Sequence, residues 1–198
     1  MQTMIEFNPQ KIEGKWQFGI ALDFHTTGSI PLGNNEFGHM QFDTIRPAIA
    51  ERLYRLKYRG DQSAALDIVS AAVEFLRPHR AKLDILVPVP PSNFRSVQPV
   101  LLLANGIGNA MALTVAECIE MNRPATQLKS EQDPVKRKEI LDGLFKVDPG
   151  VTAGKNILLF NDVYRSGATL NAITEVLFLQ GAAASVRALT VTRTRRNR

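Results

Sequence analysis

The segment Lys155-Asn-Ile-Leu-Leu-Phe160 is a short apolar run, and together with the residues after it this run narrows the choice of fold more than any other stretch. Directly after it come Asn161-Asp-Val-Tyr-Arg-Ser-Gly167. Then, from Ala168 to Gln180, Leu170, Ile173, Val176 and Leu177 recur on one side before Gly181. A bounded apolar run of this length predicts a buried strand, and the helical recurrence predicts a helix stopped by glycine. A strand buried on both faces and followed by a helix is the unit of a parallel sheet, since crossover helices are what cover both faces.

The alternation continues through most of the chain. Asp43 or Thr44 is placed to cap a helix carrying Ile45, Ile49, Leu53 and Leu56, with Gly60 as its stop. Asp61 opens a second helix with Leu66, Val69, Val73 and Leu76 on one face, ending before Pro78. Asp84-Ile-Leu-Val-Pro-Val89 and Val186 to Val191 read as further buried strands. Val97 to Glu120 predicts mostly helix, with Cys118 in its apolar pattern, and Ala125 to Leu128 a short strand. Upstream, Trp16, Phe18, Ile20, Leu22 and Phe24 alternate with Gln17, Gly19, Ala21 and Asp23, the period of a half-buried strand. Turn-forming residues come next, and Glu36 to Phe42 is expected to return beside that strand. The expected fold is α/β, a parallel sheet flanked by helices over residues 44–192. An antiparallel β extension at 1–43 and a basic tail at 193–198 complete it.

Composition narrows the function classes. Hydrophobic residues make up 44% of the 198 and charged ones 22%, the balance of a soluble globular protein. A single cysteine, Cys118, excludes an internal disulfide or a cysteine-rich zinc module. No apolar stretch approaches the roughly 20 residues of a membrane span, and the first residues lack a signal-peptide pattern. A cytoplasmic location and no membrane partner are therefore expected. Of the net charge of +5, four arginines lie in the last six residues, which leaves about +1 on residues 1–192. Such a tail reads either as a solvated chain end or as a weak contact for nucleic acid.

Right-handed crossovers place the strand-to-helix loops along one edge of a parallel sheet, where ligands bind in such folds. The loop after Phe160 is the richest of these. The helix start near Ala168 offers unpaired backbone N–H groups and the positive end of the helix dipole. Ser166 and Thr169 add hydroxyl donors, and Gly167 lets the backbone close around an anion. Asn161 and Asp162 then stand where the hydroxyls of a phosphorylated sugar would lie. The same spacing suits an ordinary capped helix with Asp162 solvated, and the residues alone leave both readings open.

This loop resembles the phosphoribosyl-pyrophosphate-binding motif of type I phosphoribosyltransferases: a hydrophobic strand, two acids, two variable residues and a Thr/Ser-Gly turn. Within that superfamily the chain resembles the ComF group of competence-associated, phosphoribosyltransferase-like proteins. Three stretches carry the closer resemblance: Leu56-Lys-Tyr-Arg-Gly-Asp61, Leu86-Val-Pro-Val-Pro90 and Asn161-Asp-Val-Tyr-Arg-Ser-Gly-Ala-Thr-Leu170. With the element order, the match spans about residues 50 to 192. The resemblance implies a ligand site formed by Asn161, Asp162, Val163, Tyr164, Arg165, Ser166, Gly167, Ala168 and Thr169. In it Asp162 would bind the ribose hydroxyls and residues 165–169 the 5′-phosphate. Pro91, Ser92 and Asn93 would face the pyrophosphate, through which Mg²⁺ would be held. Lys136, Arg137 and Lys138 would belong to a flexible closing loop, and the N-terminal β extension would stand in place of the hood. The implied activity is phosphoribosyl transfer to a nitrogen acceptor, a glycosyltransferase reaction of nucleotide metabolism. No catalytic residue is singled out, and a homodimer is compatible with this reading.

Three departures bear on that activity. Asn161 replaces the first acid of the pair; the loop after Pro90 is short, with Arg95 its one basic residue; and a cysteine-rich zinc module is missing. The first two favour a non-catalytic nucleotide sensor, while the tail and the ComF resemblance favour an accessory role in DNA uptake. Asp23-Phe-His-Thr-Thr-Gly28 superficially repeats the motif, but Ser29-Ile-Pro cannot begin a regular helix, so it reads as a hairpin turn. His25, His39 and His79 lack metal-ligand spacing and read as surface or capping residues. Tyr54 and Tyr58, one helical turn apart, read as packing partners.

Overall fold

The computed structural model describes residues 5–91, 97–123, 131 and 133–195. Ten strands are described: β1 Gln10–Lys11, β2 Phe18–Phe24, β3 Gly28–Asn34, β4 Met40–Ile45, β5 Ile85–Pro88, β6 Thr114–Val115, β7 Ile119–Met121, β8 Phe145–Val147, β9 Asn156–Tyr164 and β10 Ser185–Arg193. The helices are α1 Ala48–Tyr58, α2 Ala64–Leu76, α3 Pro99–Met111, α4 Pro134–Leu141, α5 Pro149–Thr152 and α6 Ala168–Leu179. The main sheet runs β1-β2-β10-β9-β5-β6. Its strands are parallel except β1, which pairs antiparallel to β2 at the edge. This is the mixed α/β architecture, with a largely parallel sheet between helices, that the strand–helix alternation predicts.

Two apolar layers hold it. On one face Leu53 of α1, Ile68 of α2 and Leu103 of α3 pack with Leu22, Leu86, Leu158 and Phe160. On the other, Leu170, Ile173 and Leu177 of α6 pack with Val87, Ile157, Leu159 and Val186. The consecutive residues Ile157 to Phe160 are all buried because each face of the strand has its own helices.

The N-terminal extension differs from the expectation. β2 lies inside the main sheet, parallel to β10, with Ile20 opposite Leu189. Its alternation is not apolar against polar, because Gly19 and Ala21 are buried as well. They are small because Trp16 folds beneath the strand: a Cβ on Gly19 would collide with the Trp16 indole nitrogen. The antiparallel hairpin instead joins β3 to β4, with Ile30 opposite Asp43. Its turn lies at residues 35–39, where the Asn35 side chain accepts hydrogen bonds from the N–H groups of Phe37 and His39.

Three other boundaries differ. The first helix starts at Ala48 rather than near Asp43, because Thr44 and Ile45 stay in the β3–β4 ladder and Pro47 disfavours a helical Arg46. Val97 to Glu120 is not one helix. Ala112 takes a left-handed conformation after α3, and the β-branched Thr114 and Val115 then join the sheet beside β5. Cys118 lies in the loop between β6 and β7, half-buried. The strand expected at Ala125 to Leu128 lies outside the described residues.

The place of β2 is testable. Leu22→Ala should destabilise the fold by about 2–5 kcal/mol, the range for a fully buried leucine, in one cooperative urea transition. An unchanged midpoint would show that β2 is a separable extension.

Candidate functional site

Two crossovers leave the centre of the sheet in opposite directions. β5 leads through α3 to β6, while β9 leads through α6 to β10. The switch point lies between β5 and β9, the place where folds of this kind bind their ligands. The last backbone bond between the two runs from the Val89 N–H to the Phe160 carbonyl at 2.9 Å. Pro90 and Pro91 come next, without N–H groups to continue the ladder. β9 goes on to Tyr164, paired with β10 alone, with Asn161 opposite Thr190 and Tyr164 opposite Arg193. Asn161 and Asp162 thus lie within the strand rather than just beyond it.

The turn after β9 has the expected form. Gly167 is left-handed, with φ of 78°, and α6 begins at Ala168. The Ser166 hydroxyl accepts from the Ala168 N–H at 3.4 Å. The turn packs on Tyr164, whose edge would lie 2.8 Å from a Cβ on Gly167. Tyr164 is pinned in turn: its hydroxyl donates to the Glu13 carbonyl at 3.1 Å, and its ring stands edge-on to Trp16. Arg165 and Ser166 are exposed, and Ala168 and Thr169 are half-buried.

Asp162 has a partner that spacing along the chain does not assign. Lys57 of α1 donates to its Oδ2 at 2.5 Å, both side chains being largely buried. Lys57 stands inside Leu56-Lys-Tyr-Arg-Gly-Asp61, just before the glycine that stops the helix, but nothing in that position reveals a partner 105 residues away. His25 is likewise no surface histidine. It lies half-buried just beyond β2, with Nδ1 2.9 Å from the Thr192 hydroxyl. Burial, then the charges of Lys57 and Arg46, hold its imidazole below the ordinary range; Asp162 pulls the other way and Arg165 adds to the depression. The decoy Asp23-Phe-His-Thr-Thr-Gly28 leads into the base of the hairpin, where the Thr27 N–H donates to the Ile45 carbonyl.

The remaining expected residues are spread more widely. Pro91 lies just beyond β5, while Ser92 and Asn93 lie outside the described residues. Lys136, Arg137 and Lys138 sit on the helix α4, which anchors through the buried Leu141. Arg193 ends β10 instead of starting a loose tail: its guanidinium donates to the Lys11 carbonyl at 2.7 Å. Arg195 lies over the Phe24 ring, and residues 196–198 fall outside the described set. Tyr54 and Tyr58 do pack together, with ring centroids 5.1 Å apart.

The donor set does not make a magnesium site by itself. Asn161 carries an amide whose nitrogen donates to the Val163 carbonyl at 3.3 Å, and the Asp162 carboxylate already holds an ammonium. Among the described residues no three His, Cys, Asp or Glu side chains gather as metal ligands. No helix among them is long and apolar enough to cross a membrane. A cavity of about 290 Å³ opens at the opposite, amino edge of the strands, lined in part by Phe18, Phe75, His79 and Arg187. It is remote from this chemistry.

Fold and site together define an α/β protein with a strand–turn–helix motif at a topological switch point. The chain is 30% identical over 160 residues to competence protein ComFC of Bacillus subtilis (strain 168). The match covers 76% of this chain and spans 62% of that protein's length. This chain is thus similar to ComFC over most of its length, in keeping with the resemblance carried by its three motifs. No protein-family model matches it. Among solved structures, adenine phosphoribosyltransferase from Saccharomyces cerevisiae is similar at 14% identity and a TM-score of 0.47, covering 83% of each chain. Glutamine phosphoribosylpyrophosphate amidotransferase from B. subtilis is similar at 16% identity and a TM-score of 0.43, over 79% of this chain and 34% of that one.

Two measurements check the geometry. Gly167→Ala forces a Cβ into a left-handed position against a pinned tyrosine, and should cost about 1–3 kcal/mol in chemical denaturation. The depressed His25 contributes stability that is complete above the free value near 6.5 and is lost as pH falls through the lower folded value. Thermal melts from about pH 8 to 5 should therefore drop more steeply for the native chain than for His25→Gln. Equal slopes would show that His25 is not held neutral.

Proposed function

We propose that this chain binds a 5′-phosphorylated ribose, either phosphoribosyl pyrophosphate or a nucleotide. Residues 165–169 surround the phosphate, and Asp162 meets the ribose hydroxyls. The observation that carries this reading is the turn at Gly167, where a left-handed glycine after β9 starts a twelve-residue helix and leaves its first N–H groups at that end. Those N–H groups have no acceptor inside the helix, and the dipole favours an anion there. The similarity to ComFC supports the reading.

If the chain transfers the phosphoribosyl group, a nitrogen nucleophile attacks the anomeric carbon while pyrophosphate leaves with the bonding pair. The protein's part is then to hold the sugar by Asp162 and the cradle, and to meet the departing negative charge with cations. Asn161 favours a second reading, a non-catalytic sensor or a competence accessory protein that keeps the ligand site without turnover.

Thermal denaturation with ribose 5-phosphate, nucleoside monophosphates and phosphoribosyl pyrophosphate tests the binding. A ligand at a hundred times its Kd should add about 2.7 kcal/mol, and the same sugars without the phosphate should add nothing. Ser166→Ala with Thr169→Ala should weaken the phosphorylated ligands about tenfold without unfolding the chain. Stabilisation that ignores the phosphate would overturn the reading. Pyrophosphate release from phosphoribosyl pyrophosphate and a nitrogen base separates transferase from sensor.

A further inference from the structure

The charge around the cradle is lopsided. Lys57, Arg46 and Arg165 all lie close enough to His25 to depress its protonation, and among the described residues Asp162 is the carboxylate that opposes them. Arg46 is partly compensated by Glu51 at 3.8 Å, whereas Lys57 sits directly on Asp162 at 2.5 Å. Asp23, the other nearby carboxylate, is turned inward. It accepts from the N–H groups of Asn8 and Phe24.

A magnesium ion in a phosphate site is ordinarily held by one or two carboxylates, directly or through its waters, together with the phosphate oxygens. Here the first position of the pair is the amide of Asn161, with its nitrogen tied to the Val163 carbonyl. The second is Asp162, neutralised by an ammonium fixed between α1 and β9. A dication in that space would meet Lys57 as a like charge in a half-buried setting, where screening is weak. A phosphate or pyrophosphate group would meet it as the opposite charge.

We infer that this site binds its phosphorylated ribose without a divalent metal, and that Lys57 supplies the positive charge at the sugar end. The inference rests on the proposed function and specifies how that site is charged. Lys57 acts in two ways. Its ammonium holds the Asp162 carboxylate in place for the ribose hydroxyls, and its charge attracts the phosphate oxygens of a ligand brought alongside.

Calorimetric titration of the full chain with phosphoribosyl pyrophosphate, in EDTA and then in excess Mg²⁺, tests this. The two dissociation constants should agree within about threefold, and Lys57→Met should weaken binding in EDTA about tenfold. Lys57→Arg, which keeps the charge, should recover most of that loss. Should Lys57→Met not fold, as judged by circular dichroism, Asn161→Asp provides the second arm. It restores a carboxylate, and should make binding stronger in Mg²⁺ than in EDTA where the native chain shows no difference. Native binding that needs Mg²⁺, or tightens tenfold or more with it, would overturn the inference and leave the proposed function standing. No binding in either buffer would overturn both, while an unchanged affinity in a folded Lys57→Met would remove Lys57 from the site.

Discussion

The parting of β5 from β9 is the constraint on which the rest of this molecule depends. Up to Phe160 the two strands are bonded, and both faces of β9 are covered by apolar side chains. Beyond it the prolines after Val89 end the ladder on one side, while β10 keeps pairing on the other as far as Tyr164. A backbone edge freed in this way would be costly in a dry core. It is tolerable at the rim, beyond the part of the sheet that α3 and α6 cover from opposite faces. The polar motif falls in that half-bonded stretch, where Asn161 and Asp162 are half-buried.

Sequence makes the central βα units legible because their signals are local. Ile157 to Phe160 is continuous and apolar, and the helical recurrence from Leu170 to Leu177 stops at glycine; both elements and the turn at Gly167 stand where that pattern puts them. The departures share a different physical origin. β2 reads as half-buried because Gly19 and Ala21 resemble exposed filler, yet they are small to admit Trp16. The end of α3 is invisible in the pattern because one alanine in a left-handed conformation leaves no compositional trace. Lys57 and His25 reach the site from chain segments over a hundred residues away from the motif. Pairing at such distances depends on the topology of the whole sheet, which spacing along one chain does not encode.

The buried polar residues follow the same axis. Asp23, Thr190 and Thr192 are buried at the carboxyl ends of β2 and β10, beside Asn161 and Asp162, whereas the amino ends of these strands border the open cavity near Phe18 and Arg187. Each has found a partner: Asp23 takes two backbone N–H groups, the Thr190 hydroxyl donates to the Thr192 carbonyl, and Thr192 meets His25. Burying such groups is costly only when they go unpaired, so this rim can be polar while the sheet beneath it remains a conventional core.

One continuous piece of chain supplies most of what surrounds the motif. β2 ends beside His25, the β3–β4 hairpin returns to Arg46, and α1 then carries Lys57 back over the sheet. Just upstream, Glu13 and Trp16 hold Tyr164, on which the turn at Gly167 rests. Residues 13–58 are therefore coupled to residues 160–169 through an ion pair, a buried tyrosine and the β2–β10 ladder. Any movement of the hairpin relative to the cradle has to act on those three links. Under the proposed function, the ion pair is the link that a ligand would also touch, because Asp162 and Lys57 have the charges that a ribose and its phosphates would each engage. In the structure they satisfy one another, although 105 residues of chain separate them.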